Sequence, residues 1–180
     1  MMLNIPTLLT LSRVILIIPQ IYLLMAGYDA AAFMLFVILT ITDFFDGYLA
    51  RKWNQTSALG AFLDPIADKL LVAAVLIVFV DIGRLTGLWV IAPIVIILRE
   101  IWVPGIRGFV GYDKPIAAVT KLAKWKTTMQ MVAVAALFLA EFHDYIYWLG
   151  LGSLAIAAIL TFITAIDYTQ KAWHYYNQNK

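Results

Sequence analysis

Six apolar stretches alternate with short polar punctuation along the chain. They run approximately 8–28, 30–50, 61–81, 88–107, 118–140 and 145–168. Each is about 20 residues long, the length at which a helix rising about 1.5 Å per residue crosses the roughly 30 Å hydrocarbon core of a bilayer. Turn-forming residues separate the stretches: Gly27-Tyr28-Asp29, Asn54-Gln55-Thr56-Ser57, Gly83 to Gly87, Gly111-Tyr112-Asp113-Lys114-Pro115 and His143-Asp144. Ahead of the first stretch stands Asn4-Ile5-Pro6-Thr7, where Pro and Thr suit a helix start and the preceding residues would lie along the membrane interface. The pattern predicts an all-α, polytopic integral membrane protein with six transmembrane helices and a short N-terminal interfacial segment. With 180 residues and no internal repeat, it reads as a single domain over residues 1–180.

Composition supports the membrane reading. Hydrophobic residues make up 63% of the chain and charged ones 13%, against roughly 45–50% and about 25% in soluble domains. The absence of cysteine excludes disulfides, thiolate metal sites and cysteine nucleophiles. A formal charge of +2 gives no case for nucleic acid as a partner. No basic side chain precedes the first apolar run, and Arg13 and Pro19 interrupt it, so no cleaved signal peptide is expected. The basic residues are lopsided when counted on alternating sides. Arg51, Lys52, Arg107, Lys114, Lys121, Lys124, Lys126, Lys171 and Lys180 fall on one side and only Arg84 on the other, beside Asp29, Asp81, Glu141 and Asp144. The positive-inside rule makes the first side, and both termini, cytoplasmic.

Several charges lie within or at the edges of the spans: Arg13, Asp43, Asp46, Asp64, Asp68, Lys69, Arg99 and Glu100. An isolated charge at mid-bilayer costs about 2.5–3.5 kcal/mol even on the lenient insertion scale, so such residues pair, face a wet cavity or do chemistry. Asp43 and Asp46 are three apart and Asp64 and Asp68 four apart, so each pair shares a helix face. The second span arrives at the cytoplasmic side near residue 50 and the third leaves from near 60, which brings four carboxylates together. Their mutual repulsion is relieved by a bound cation. An all-oxygen donor set suits magnesium, manganese or calcium, and four carboxylates have room for two ions. The competing reading is structural, with these aspartates salt-bridged to Arg51, Lys69, Arg99 and Arg13. Gly47, Ala50 and Gly60 near the aspartates either let helices pack closely or leave room for a ligand.

Written out, the segment is Asp43-x2-Asp46-Gly47-x2-Ala50-Arg51-x8-Gly60-x3-Asp64-x3-Asp68. It resembles the complete signature of the CDP-alcohol phosphotransferase family. Further segments carry the resemblance over most of the chain: Asn4 to Arg13, Trp53-Asn54-Gln55, Gly60 to Pro65, Arg99-Glu100-Ile101 and Lys124 to Met131. Two positions depart from the family pattern, Ala123 where glycine is expected and Pro104-Gly105 in place of larger apolar residues.

The resemblance implies transfer of the phosphatidyl group from CDP-diacylglycerol to sn-glycerol 3-phosphate, giving phosphatidylglycerophosphate and CMP. It implies Mg2+ or Mn2+ held by Asp43, Asp46, Asp64 and Asp68, with Asp68 also the base on the glycerol hydroxyl. Asn4, Thr7, Gly47, Arg51, Ser57 and Gly60 would surround CDP-diacylglycerol. It further implies a homodimer among membrane lipids in the bacterial cytoplasmic (inner) membrane, with the active site on the cytoplasmic side.

A phosphorylated acceptor needs cations that serine or choline would not. Arg99, Arg107, Lys121, Lys124 and Lys126 are the candidates, with Arg99 foremost because it lies inside a span. All but Arg99 also satisfy the positive-inside rule and meet anionic headgroups on the alternative reading. The rival functions are the same chemistry with inositol phosphate or serine as acceptor, a divalent-cation transporter, and a prenyl-diphosphate enzyme. His143 and His174 read as structural, and Asp167 with Lys171 as a helix-terminal ion pair.

Overall fold

In the computed structural model residues 5–52, 58–111 and 120–178 are described, with the side chains of 5–7, 43–52, 58–62, 64 and 121 outside that description. The described residues contain six α-helices and no strand: α1 (Ile5–Met25), α2 (Asp29–Lys52), α3 (Ala58–Asp81), α4 (Ile91–Val110), α5 (Lys121–Phe138) and α6 (Asp144–Gln178). A 3-10 turn, Gly87–Val90, leads into α4. The helices match the six apolar stretches one for one. Two compact units divide the chain, Met1–Arg84 and Leu85–Lys180.

Local chemistry sets the helix ends. Gly27, at φ +79°, closes α1: its N–H reaches the Leu24 carbonyl at 3.2 Å while the Tyr28 N–H reaches Leu23 at 2.9 Å. That pair of bonds is a Schellman motif, which needs the left-handed backbone glycine adopts without strain. Thr120 caps α5, its hydroxyl accepting from the Ala123 N–H at 3.2 Å. Ala123 therefore stands in an ordinary helical first turn, where alanine fits as well as the glycine of the family pattern. Ile5, Pro6 and Thr7 already belong to α1, so among the described residues no break separates them from the first span.

In the first unit α1 packs against both α2 and α3. Its buried stripe is Thr10, Arg13, Ile17, Gln20 and Leu24, spaced three and four apart. Ile15, Ile18 and Tyr22 on the same helix are exposed. Burying polar residues while presenting large apolar ones outward inverts the soluble pattern and fits a hydrocarbon surround. Among the described residues three helices are long and apolar enough to cross a membrane, within Leu8–Met25, Gly87–Val110 and Asp144–Gln178, with a shorter apolar run at Asp29–Thr42. The chain is thus an all-helical, polytopic membrane protein.

In the second unit α6 packs between α4 and α5. The approach to α5 is close at Gly150, where a Cβ would lie 3.0 Å from Leu137 Cγ. α6 runs ten residues past the predicted end at 168. Nothing after Pro115 supplies a proline, and no glycine follows Gly152, so the helix continues after its apolar run ends. Polar pairs support the continuation. Lys171 Nζ donates to Asp167 Oδ2 at 2.6 Å, and His174 meets Gln178 at 2.7 Å. Tyr176 also packs its ring on Phe109 of α4, centroids 6.4 Å apart.

Candidate functional site

The acidic positions sit at one end of the first unit. Asp29 at the start of α2 binds Arg84, just past the end of α3, with Oδ2 to Nη2 at 2.6 Å. α2 and α3 therefore run in opposite directions. Asp43 and Asp46 fall in the last ten residues of α2 and Asp64 and Asp68 in the first eleven of α3, so all four positions lie toward the connection at 53–57.

Of the four carboxylates, that of Asp68 is described. Arg13 Nη1 on α1 donates to Asp68 Oδ1 at 3.3 Å, with Arg13 1% and the Asp68 side chain 44% exposed. This pair realises one contact of the competing salt-bridge reading. It leaves Asp68 half open to solvent, as a residue that also meets a ligand must be. The side chains of Asp43, Asp46, Asp64, Thr7, Arg51 and the surroundings of Gly47 and Gly60 lie outside the described residues, as do Asn4 and Ser57 altogether. Among the described residues no group of three or more acidic, His or Cys side chains forms a metal site. By donor chemistry alone, carboxylates at these four positions would suit a hard divalent cation.

The predicted acceptor cations separate into two kinds. Arg99 and Glu100 on α4 and Lys126 on α5 form one cluster. Lys126 Nζ bonds Glu100 Oε1, and Arg99 Nη1 reaches the same oxygen at 3.4 Å. All three are largely buried, with side chains 10%, 11% and 3% exposed for Arg99, Glu100 and Lys126. The Arg99 guanidinium lies over the Tyr168 ring of α6, 5.9 Å from its centroid, a cation–π contact. The Tyr168 hydroxyl in turn accepts from the Thr120 N–H at 3.4 Å. Lys124, two residues from Lys126 and so about 200° around the helix, is exposed. Arg107 is half-buried in the last turn of α4. Spacing alone treated Lys124 and Lys126 alike, and it missed both Glu100 as the partner of Lys126 and Tyr168. No local pattern links positions 100, 126 and 168; a buried ionisable pair is found only once the helices are packed.

A sequence model of the family described as CDP-alcohol phosphatidyltransferase matches residues 3–166, across both compact units. The chain belongs to the CDP-alcohol phosphatidyltransferase family. Such enzymes are in general dependent on divalent metal. Among its relatives, the protein of Haemophilus influenzae named CDP-diacylglycerol--glycerol-3-phosphate 3-phosphatidyltransferase is 41% identical, covering 94% of this chain and 93% of that one. Proteins of the same name from Cereibacter sphaeroides and Escherichia coli are 38% and 39% identical, covering 98% and 96% of this chain and 99% and 96% of their own. The departures at Ala123 and Pro104-Gly105 do not interrupt a family match that runs through both.

Proposed function

We propose that this phosphatidyltransferase moves the phosphatidyl group of CDP-diacylglycerol onto sn-glycerol 3-phosphate, releasing CMP. The observation that carries the reading is the near-complete, two-sided coverage by relatives that all bear the name of that activity. The buried cation pair Arg99 and Lys126 supports a phosphorylated acceptor in preference to serine.

In the reaction a glycerol hydroxyl oxygen bonds to the phosphorus that carries diacylglycerol, and the bond from that phosphorus to the bridging diphosphate oxygen breaks. CMP leaves with the bridging oxygen. The hydroxyl proton passes to Asp68, which Arg13 orients from its buried side. Asp43, Asp46, Asp64 and Asp68 would hold Mg2+ or Mn2+, in two ions. Bound there, such ions neutralise the diphosphate and the leaving oxygen. Asn4, Thr7, Gly47, Arg51, Ser57 and Gly60 surround the CDP moiety, while Arg99, Arg107, Lys124 and Lys126 attract the acceptor phosphate. We read both compact units as one functional domain and all six helices as spans. The protein is placed in the bacterial cytoplasmic membrane, with termini and active site cytoplasmic, as a homodimer.

The test is CMP release by purified, detergent-solubilised protein given CDP-diacylglycerol and magnesium, with glycerol 3-phosphate, inositol phosphate and serine offered separately. Release with glycerol 3-phosphate alone, abolished by chelator and by Asp68→Asn, is expected. Release with another alcohol instead would overturn the acceptor assignment and leave the reaction class standing. No release with any alcohol, from protein that binds the divalent ion, would favour transport over transfer.

A further inference from the structure

Threonines within apolar helices ordinarily settle their hydroxyls on the preceding turn. Thr40, Thr127 and Thr169 do so here, donating to the carbonyl four residues back at 2.9, 3.1 and 2.8 Å, and Thr164 donates to the Thr161 carbonyl at 3.0 Å. Thr161 itself does not. It is 0% exposed in the middle of α6, and its Oγ1 has no hydrogen-bond partner among the described residues. Gln130 on α5, 4% exposed, has the same deficit at Oε1. Two contacts fix how these residues stand to each other: Gly150 approaches Leu137, and the Thr120 N–H reaches the Tyr168 hydroxyl. At that antiparallel register Thr161 is level with residues 126–127, beside the turn that separates Lys126 from Gln130. Thr161 is eleven residues from Gly150 and seven from Tyr168, each close to whole turns, so it points as they do, at α5. Gln130, seven residues from Leu137, points at α6 for the same reason.

A carbonyl oxygen that lacks a donor and a hydroxyl that lacks any partner are both completed by one alcohol group, which donates to Gln130 Oε1 and accepts from Thr161. A phosphate or carboxylate oxygen only accepts, and leaves Gln130 unanswered; an ammonium only donates, and leaves the Thr161 proton without an acceptor. We propose that Gln130 and Thr161 are specificity-determining residues that hold the middle, unreacting hydroxyl of the acceptor's glycerol. This rests on the reading of Arg99 and Lys126 as the acceptor-phosphate cations. Gln130 follows Lys126 by one turn on the same face of α5, about 6 Å along the axis. In sn-glycerol 3-phosphate the middle hydroxyl stands on the carbon next to the one that carries the phosphate. With the phosphate at Lys126 and the middle hydroxyl at Gln130, the terminal hydroxyl is the one left to react. A site built to bond a hydroxyl rejects the analogue that lacks it, because the analogue strands the site's buried polar atoms.

The experiment measures CMP release by the full-length protein in detergent with CDP-diacylglycerol, magnesium and one of two acceptors, sn-glycerol 3-phosphate or 3-hydroxypropyl phosphate. The second keeps the phosphate and the terminal hydroxyl and lacks the middle one. Wild type, Gln130→Leu and Thr161→Val are compared by the ratio of kcat/KM for the two acceptors. Wild type is expected to favour glycerol 3-phosphate by roughly tenfold or more, the scale of one or two neutral hydrogen bonds. In both variants the ratio falls toward one, through a loss on glycerol 3-phosphate. Thr161→Val removes only the unpartnered hydroxyl, so its apparent Tm holds or rises, which keeps the experiment readable if Gln130→Leu does not fold. A wild type indifferent to the middle hydroxyl, or a ratio that either folded variant keeps at the wild-type value, would overturn the proposal; equal losses on both acceptors would assign the residues to packing. No release with either phosphate ester, from wild type that releases CMP with serine, would mean instead that the acceptor-phosphate reading has failed, a result visible before any variant is made.

Discussion

Arg13 and Asp68 are joined across α1 and α3 by a 3.3 Å bond whose two ends differ in surroundings, the guanidinium sealed in the helix interface and the carboxylate half open. Screening at the open end keeps the stabilising value of such a pair to about 1 kcal/mol or less. Its geometric value is larger, because a buried fork fixes where the carboxylate points. Arg13→Lys keeps the charge and loses the fork; Arg13→Met keeps much of the volume and loses both. Apparent Tm is expected to fall by about 2–4 °C for each kcal/mol lost. CMP release should fall by about tenfold or more, which a change of stability that small does not produce. Equal losses in both variants, tracking Tm alone, would make the contact structural.

Neutralising the acidic cluster separates activity from stability. If Asp43, Asp46 and Asp64 face one another as metal ligands, each repels its neighbours in metal-free protein. Asp43→Asn and Asp46→Asn should then reduce CMP release by roughly a hundredfold or more, the scale of losing one preorganised electrostatic contact, while leaving metal-free Tm unchanged or raised. Asp68→Asn should also abolish release but gain nothing in Tm, since it gives up the contact with Arg13. Magnesium titrated into wild type should raise Tm, and into these variants should not. A uniform drop in Tm across all of them would argue for salt bridges in place of a metal.

Arg84 closes the opposite end of the first unit. It bonds Asp29 at 2.6 Å and lies 5.5 Å from the centroid of the Phe79 ring, with both charged side chains largely buried. Removing one partner strands the other in a poorly solvated place. The cost expected for Asp29→Ala or Arg84→Ala is about 2–3 kcal/mol, below the 3–5 kcal/mol typical of complete burial. In a double-mutant cycle the double variant should cost less than the two singles added, with a coupling of about 1 kcal/mol or more. Additive losses would show that the pair does not fix the antiparallel arrangement of α2 and α3.

Much of this was legible in the sequence because membrane helices are bounded by strong local signals. Gly27 and Gly83, both at positive φ, end α1 and α3 where turn chemistry put the ends. The apolar stretch ends near 168 while α6 continues to Gln178, because hydrophobicity marks the membrane, while helix continuation needs only the absence of a breaker. The Asp43 to Asp68 segment was legible as a motif, and the Arg84–Asp29 contact explains physically why its two halves share one end. The Glu100–Lys126 pairing was not legible. It depends on how α4 and α5 are rotated against α6, and the same rotation sends Lys124 outward. Positive-inside counting gives both lysines equal weight, yet one is buried among charges and the other meets the surroundings.

That rotation is set in part by Gly150, which offers a sharp comparison with its neighbour Gly152. A Cβ on Gly150 would lie 3.0 and 3.1 Å from Leu137 Cγ and Cδ2 and 3.3 Å from the Leu137 backbone nitrogen, whereas one on Gly152 would meet nothing within 4 Å. Leu137 is fully buried in α5, so it has little room to yield. Forcing an extra methyl into such an interface costs typically about 1–3 kcal/mol, offset in part by the better helix propensity of alanine. Gly150→Ala should therefore lower apparent Tm by several degrees, and Gly150→Val by more. Gly152→Ala should leave Tm unchanged or slightly raised. Because α5 carries Lys126 and α6 carries Tyr168, separation of these helices at Gly150 should also raise KM for glycerol 3-phosphate. A Gly150→Ala variant as stable and as active as Gly152→Ala would show that close α5–α6 contact is not what holds the basic cluster in place.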